Sequence, residues 1–137
     1  GGGAGEGPPQ GGDRLLLDKA LELANCLLVA FATPTGIPLG TVSMPAGTAH
    51  NPRWAAGAST TAEAATLQLE FGALSWHSGD ARYRLAADAI VAHMARMERP
   101  ADLPVGLYPA FVHPESGRFT STTVALGARM DSLYEYL

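Results

Sequence analysis

Apolar residues return at helical spacing between Arg14 and about Ala32. Leu17, Ala20, Leu21, Ala24, Leu27, Leu28 and Phe31 fall on one stripe, with Asp18, Lys19, Glu22 and Asn25 largely off it. The pattern predicts an amphipathic helix with Asp13 as its N-cap, stopped by the breaker Thr33-Pro34-Thr35-Gly36. Cys26 is expected as a small residue at its buried edge. A second helix is expected over "TTAEAATLQLEFGALS", where Ala62, Ala65, Leu67, Leu69, Phe71 and Leu74 point nearly all round, a pattern of burial on most sides. A third is expected over residues 81–97. There Tyr83, Ala86, Ala87, Ile90, Met94 and Met97 face inward and Arg82, Arg84, Asp88 and Arg96 outward. A fourth begins near Arg129.

Long irregular stretches separate these helices. Residues 33–59 are rich in Pro and Gly and hold one β-like run, Thr41-Val42-Ser43-Met44. In "GLYPAFVHPESGRFTSTTVAL" the turn Pro114-Glu115-Ser116-Gly117 lies between β-prone flanks and predicts a hairpin. The Gly79-Asp80 step is short, so the second and third helices should be antiparallel neighbours. The expected class is all-α, a repeating αα unit with its long loops on one rim. Such units bury their faces only against neighbours stacked in an array or closed in a ring. The last helix reaches Leu137 with no C-cap Gly after it, and the chain is expected to be a fragment of such an array.

Composition narrows the class. The 137 residues suffice for one ordinary domain, and 47% hydrophobic against 16% charged residues describes a packed chain. The Gly/Pro-rich residues 1–13 read as a flexible linker, leaving 14–137 as the folded part. A net charge of −4 gives no basic footprint for nucleic acid or an anionic membrane surface. Cys26 is the only cysteine, which excludes an intrachain disulfide. No apolar run approaches the ~18 residues of a membrane span.

The polar candidates gather at helix starts. If the second and fourth helices start at one rim, Glu63 and Asp131 project there together, with Arg129 beside Asp131. First-turn carboxylates meet the positive end of a helix dipole. That setting suits a general base or an acceptor for sugar hydroxyls better than an acid that must hold its proton. Plainer roles fit the same residues: Thr60-Thr61-Ala62-Glu63 is a capping box, and Asp131 a favourable first-turn carboxylate. Glu70 and Glu135 are expected to pair with an Arg of a neighbouring helix. His50, His77, His93 and His113 show no metal-ligand spacing, and no phosphate loop, dinucleotide fingerprint or Ser elbow is present.

Five segments add a resemblance: "AFATPTGIPLGTVSM", "GTAHNPRW", "STTAEAATLQLEFGALSWHSGD", "GLYPAFVHPESGRF" and "LGARMDSLYEYL". In that order they resemble the class I α-mannosidases, glycoside hydrolase family 47, over nearly everything from Asp13 to Leu137. The resemblance implies part of an (α/α)7 barrel, a ring of αα hairpins. It also implies calcium-dependent, inverting exo-hydrolysis of α-1,2-linked mannose on high-mannose N-glycans, in the endoplasmic reticulum or Golgi lumen. By the same resemblance Asp131 matches a catalytic carboxylate, Glu63 an active-site acid, and Arg129 a glycan-contacting arginine of the endoplasmic-reticulum processing branch. The degradation branch, which acts on misfolded glycoproteins and usually has Gly at that position, is the nearer alternative; a non-catalytic helical-array fragment is the other. Val29 stands where the family usually has Pro, and Leu133 where it usually has an aromatic. The family's upstream acid-bearing helix, later base, disulfide pair and calcium-binding Thr have no counterpart here. The isolated chain is therefore expected to be inactive and to hold no calcium ligand.

Overall fold

A computed structural model of the chain describes residues 11–137. The expected linker therefore lies, as far as Gln10, outside the described residues. Helix α1 spans Gly11–Leu27, so Asp13 sits within its first turn instead of capping it. A tight 3-10 turn, Leu28–Phe31, continues it. The predicted stripe is the buried face except at Ala20, which is exposed: Leu17, Leu21, Leu27, Leu28 and Phe31 surround buried Ala24 and pack with Phe71, Leu74, Tyr83 and Ala87. Cys26 is exposed, contrary to expectation. It lies two residues past Ala24, about 200° round the helix from the centre of that face.

The irregular stretch after α1 folds into a hairpin. Strand β1, Thr41–Ser43, pairs antiparallel with β2, Thr48–His50, with Val42 opposite Ala49. A second 3-10 turn, Arg53–Ala55, leads to β3, Ser59–Thr60, which runs directly into helix α2, Thr61–Ala65. Strand β4, Phe111–Val112, pairs with β3, and Val112 also bridges Phe119. The predicted turn at Pro114–Gly117 thus forms, closed by the Gly117 N–H donating to the His113 carbonyl at 2.8 Å.

The helix expected across residues 60–75 is two helices. After α2 the backbone leaves helical geometry at Thr66 (φ −125°, ψ 51°) and Leu67 (φ −121°, ψ −1°), and α3 runs Gln68–Ser78. The side-chain oxygen of Gln68 accepts the Leu67 N–H at 2.8 Å, satisfying a donor that the break releases. Nor is α3 buried all round: Phe71, Leu74 and Ser75 are buried, while Leu69 is 68% and Trp76 83% exposed.

Gly79, in the left-handed region at φ 74°, closes α3 and turns the chain into α4, Arg82–Met94, which packs along α3. Tyr83, Ala87, Ile90 and Met94 are buried as their spacing predicts. Asp80–Arg82 and Arg84–Asp88 pair in solvent, at 2.7 and 2.9 Å. Helix α5, Asp131–Tyr136, packs on α2 around a core of Ala62, Ala65, Ile90, Met94, Ala110, Met130 and Leu133. Fully burying a side chain such as Met130 or Leu133 contributes about 1.5–3 kcal/mol. Together these two fix the start of α5. No helix among the described residues is long and apolar enough to cross a membrane.

Candidate functional site

Helix α2 is anchored by its first residue. The Thr61 N–H donates to the Ala110 carbonyl at 2.9 Å, and its hydroxyl donates to the Pro109 carbonyl at 2.7 Å. Thr60 makes no side-chain cap bond, and the Glu63 carboxylate makes no hydrogen bond among the described residues. The capping box that the sequence offers is therefore not formed. Glu63 is exposed and faces the loop after α1, where a Cβ added at Gly40 would lie 3.4 Å from its Oε2.

Asn51 builds that loop against β3. Its Oδ1 accepts the Gly40 N–H at 2.7 Å, and its Nδ2 donates to the Gly57 carbonyl at 2.9 Å and to Ser59 Oγ at 3.1 Å. The buried Ser59 hydroxyl donates in turn to the Pro38 carbonyl at 2.7 Å. A groove of about 370 Å³ lies beside this clamp, with Glu63 and Ser59 among Phe31, Leu39, Leu67 and Phe71.

Asp131 is the exposed first residue of α5, and its N–H donates to the Gly127 carbonyl at 3.0 Å. Arg129 precedes it in the left-handed region, φ 77°. Its guanidinium carbon sits 4.5 Å from the ring centroid of Trp54, which is 60% exposed. Trp54 in turn meets Phe111 edge-on, centroids 6.1 Å apart and planes at 75°. Phe111 is the strand partner of Thr60, the residue just before α2. The structure thus seats Glu63 and Asp131 in the first turns of two helices packed together, and turns Arg129 towards Trp54. No hydrogen bond or ion pair links Glu63, Arg129 and Asp131 to one another among the described residues.

Three members of this surface, Gly40, Asn51 and Trp54, lie in segments that carried the resemblance but were given no individual role from the sequence. The signal for Trp54 was an aromatic in a Pro/Gly-rich loop, outside every apolar stripe. Glu70 pairs with no arginine. It accepts the Tyr136 hydroxyl at 2.9 Å, and this bond is the main cause of a raised Tyr136 pKa. Of the histidines, His93 contacts the Gly117 carbonyl at 3.2 Å and His113 Nδ1 accepts the Glu115 N–H at 3.2 Å, both structural roles. Among the described residues no three His, Cys, Asp or Glu side chains converge to hold a cation.

Exposed carboxylates, a guanidinium that has no hydrogen-bond acceptor among the described residues, and an aromatic shelf suit a polyhydroxylated ligand. Carboxylates accept from hydroxyls, the guanidinium donates to them, and charge-assisted bonds of this kind are the stronger ones. A profile described as glycosyl hydrolase family 47 matches residues 8–137. The chain belongs to this family.

Family 47 relatives extend the match. The chain is 42% identical over 127 residues to a mannosyl-oligosaccharide 1,2-alpha-mannosidase of Arabidopsis thaliana, covering 92% of this chain and 22% of that protein. It is 43% identical over 127 residues to the endoplasmic reticulum mannosyl-oligosaccharide 1,2-alpha-mannosidase of Homo sapiens, covering 92% of this chain and 18% of that protein. The chain thus spans about a fifth of the length of these relatives. Among solved structures, the alpha-1,2-mannosidase from Trichoderma reesei superposes with a TM-score of 0.81 at 32% identity, over 95% of this chain and 26% of that one.

Proposed function

We propose that residues 14–137 form part of the catalytic domain of an inverting exo-α-1,2-mannosidase that trims mannose from high-mannose N-glycans in the endoplasmic reticulum or Golgi lumen. In this reading the helices belong to an (α/α)7 barrel with its long loops on the glycan-facing rim. Asp131 takes part in the acid/base chemistry through water, while Glu63 accepts from mannose hydroxyls and Arg129 donates to them. One observation carries the reading: in a family 47 chain, the carboxylates of Glu63 and Asp131 stand exposed and, among the described residues, without hydrogen-bond partners at the starts of two helices packed on each other.

Inversion requires an acid and a base on opposite faces of the scissile bond, ~6.5–9.5 Å apart. Asp131 supplies one member of such a pair. The 137-residue chain by itself is accordingly expected to release no mannose from a high-mannose glycan, with or without added calcium. The resemblance implies a calcium-binding Thr that has no counterpart in this sequence, so no residue of this chain is assigned to calcium. The role given to Asp131 does not depend on calcium.

The test grafts this chain in place of the matching segment of the Arabidopsis thaliana relative. A folded chimaera should release mannose, and Asp131→Asn should cut its rate by at least about a hundredfold, the scale of lost acid/base assistance. Unchanged release in the Asp131→Asn chimaera would overturn the assignment.

A further inference from the structure

Among the described residues three arginines lie over aromatic rings, and they differ in what else they do. Arg82 lies 5.7 Å from the Tyr83 centroid and forks onto the Asp80 carboxylate through Nε and Nη2, at 2.9 and 2.7 Å. Arg99 lies 5.9 Å from the Tyr108 centroid, its Nη1 reaching the Pro104 and Leu107 carbonyls at 3.4 and 3.5 Å. Both use their N–H groups to hold local structure. Arg129 is the closest of the three to its ring, at 4.5 Å, and its N–H groups have no protein acceptor among the described residues.

The rest of the arrangement is costly unless the guanidinium is needed in that place. The Arg129 backbone sits in the left-handed region at φ 77°, which an L-residue with a long side chain adopts at a cost. Trp54 is left 60% exposed and packs edge-on against Phe111 instead of entering a core. Contact with the ring face restrains a long side chain, while the five guanidinium donors have no protein acceptor among the described residues.

We propose that Trp54 is the positioning residue for Arg129, holding the guanidinium plane, with Phe111 as a brace, so that its N–H edge meets glycan hydroxyls. This rests on the mannosidase reading above and adds Trp54 and Phe111 to it. Trp54 acts through Arg129, so its loss should weaken glycan recognition without touching Asp131.

The experiment follows the arginine side-chain Nε–H signals of the full 137-residue chain by ¹⁵N NMR while a free high-mannose oligosaccharide is added. In the free chain the Arg129 signal should be displaced by the Trp54 ring and should move on titration. Trp54→Leu keeps an apolar contact on Phe111 but offers no ring face. It should return the signal to the position of the other exposed arginines and weaken the apparent affinity about two- to fivefold, the range for an exposed cation–π contact. Trp54→Phe should restore both properties in part, a rescue that packing alone does not predict. An Arg129 signal indifferent to Trp54→Leu, or a titration equally tight in that variant, overturns the positioning role while leaving the mannosidase reading intact. A ring-shifted Arg129 that ignores the oligosaccharide in the unsubstituted chain overturns the glycan role of the pair; the Asp131 assignment is decided separately, by mannose release from the chimaera.

Discussion

Arg129 and Asn51 show how single residues carry strain and order in this chain. With φ at 77°, Arg129 occupies backbone space that glycine enters freely and other L-residues enter at roughly 1–2 kcal/mol. Arg129→Ala loses the stack on Trp54 and keeps the strain, whereas Arg129→Gly loses the stack and relieves the strain. The glycine variant should be about 1 kcal/mol more stable than the alanine variant in urea denaturation. Asn51 bridges Gly40, Gly57 and Ser59. Asn51→Ala should cost about 0.5–1.5 kcal/mol through loss of these largely exposed hydrogen bonds, seen as a lower denaturation midpoint. Glu63, Arg129 and Asp131 were picked out as individual candidates by the resemblance, since their pattern at helix starts fits plain capping or first-turn roles equally. Trp54 and Asn51 were not, because their meaning comes from partners 75 and 11 residues away, Arg129 and Gly40.

At the scale of elements, two contacts tie helices to loops or to one another. The turn after His113 abuts α4, and a Cβ at Gly117 (φ 67°) would collide with the His93 imidazole. Gly117→Ala should therefore destabilise the fold by about 1–2 kcal/mol, from the left-handed φ, with the His93 ring displaced from the Gly117 carbonyl. The second tie joins the end of α5 to α3 through the Tyr136 hydroxyl and Glu70. That hydrogen bond raises the Tyr136 pKa above its ordinary 10.0, so the folded chain holds the phenolic proton more tightly than the unfolded chain does. The contribution is complete below pH 10.0 and is lost as pH rises through the folded-state value. An alkaline unfolding series should show this loss in the parent chain and its absence in Tyr136→Phe. Helix α4 and the hairpin after β4 were readable in advance, since a clean 3.6-residue stripe and a Pro-to-Gly turn are local signals. The break between α2 and α3 was not. Propensity alone would continue the helix through Thr66, and the bend is fixed by the local Gln68–Leu67 bond together with the separate packing of α2 on α5 and of α3 on α4.

For the whole molecule, apolar surface is the property with a measurable consequence. Leu69 and Trp76 stand 68% and 83% exposed on α3, and clustered exposure of this kind favours association. The chain should self-associate with rising concentration in sedimentation velocity, and Leu69→Gln with Trp76→Gln should shift it towards monomer. Sequence by itself determined the helical class, the inward stripes of α1 and α4, the position of the second hairpin and the family, because each of these is written in short-range periodicity or in contiguous motifs. Tertiary structure alone decided that Glu63 is not a cap, that Glu70 meets Tyr136 instead of an arginine, and that Arg129 lies on Trp54. Each outcome turns on a contact far along the chain: β4 pairs with Thr60 and the Pro109–Ala110 carbonyls hold Thr61 at the start of α2, α5 brings Tyr136 to Glu70 on α3, and the loop after α1 brings Trp54 to Arg129.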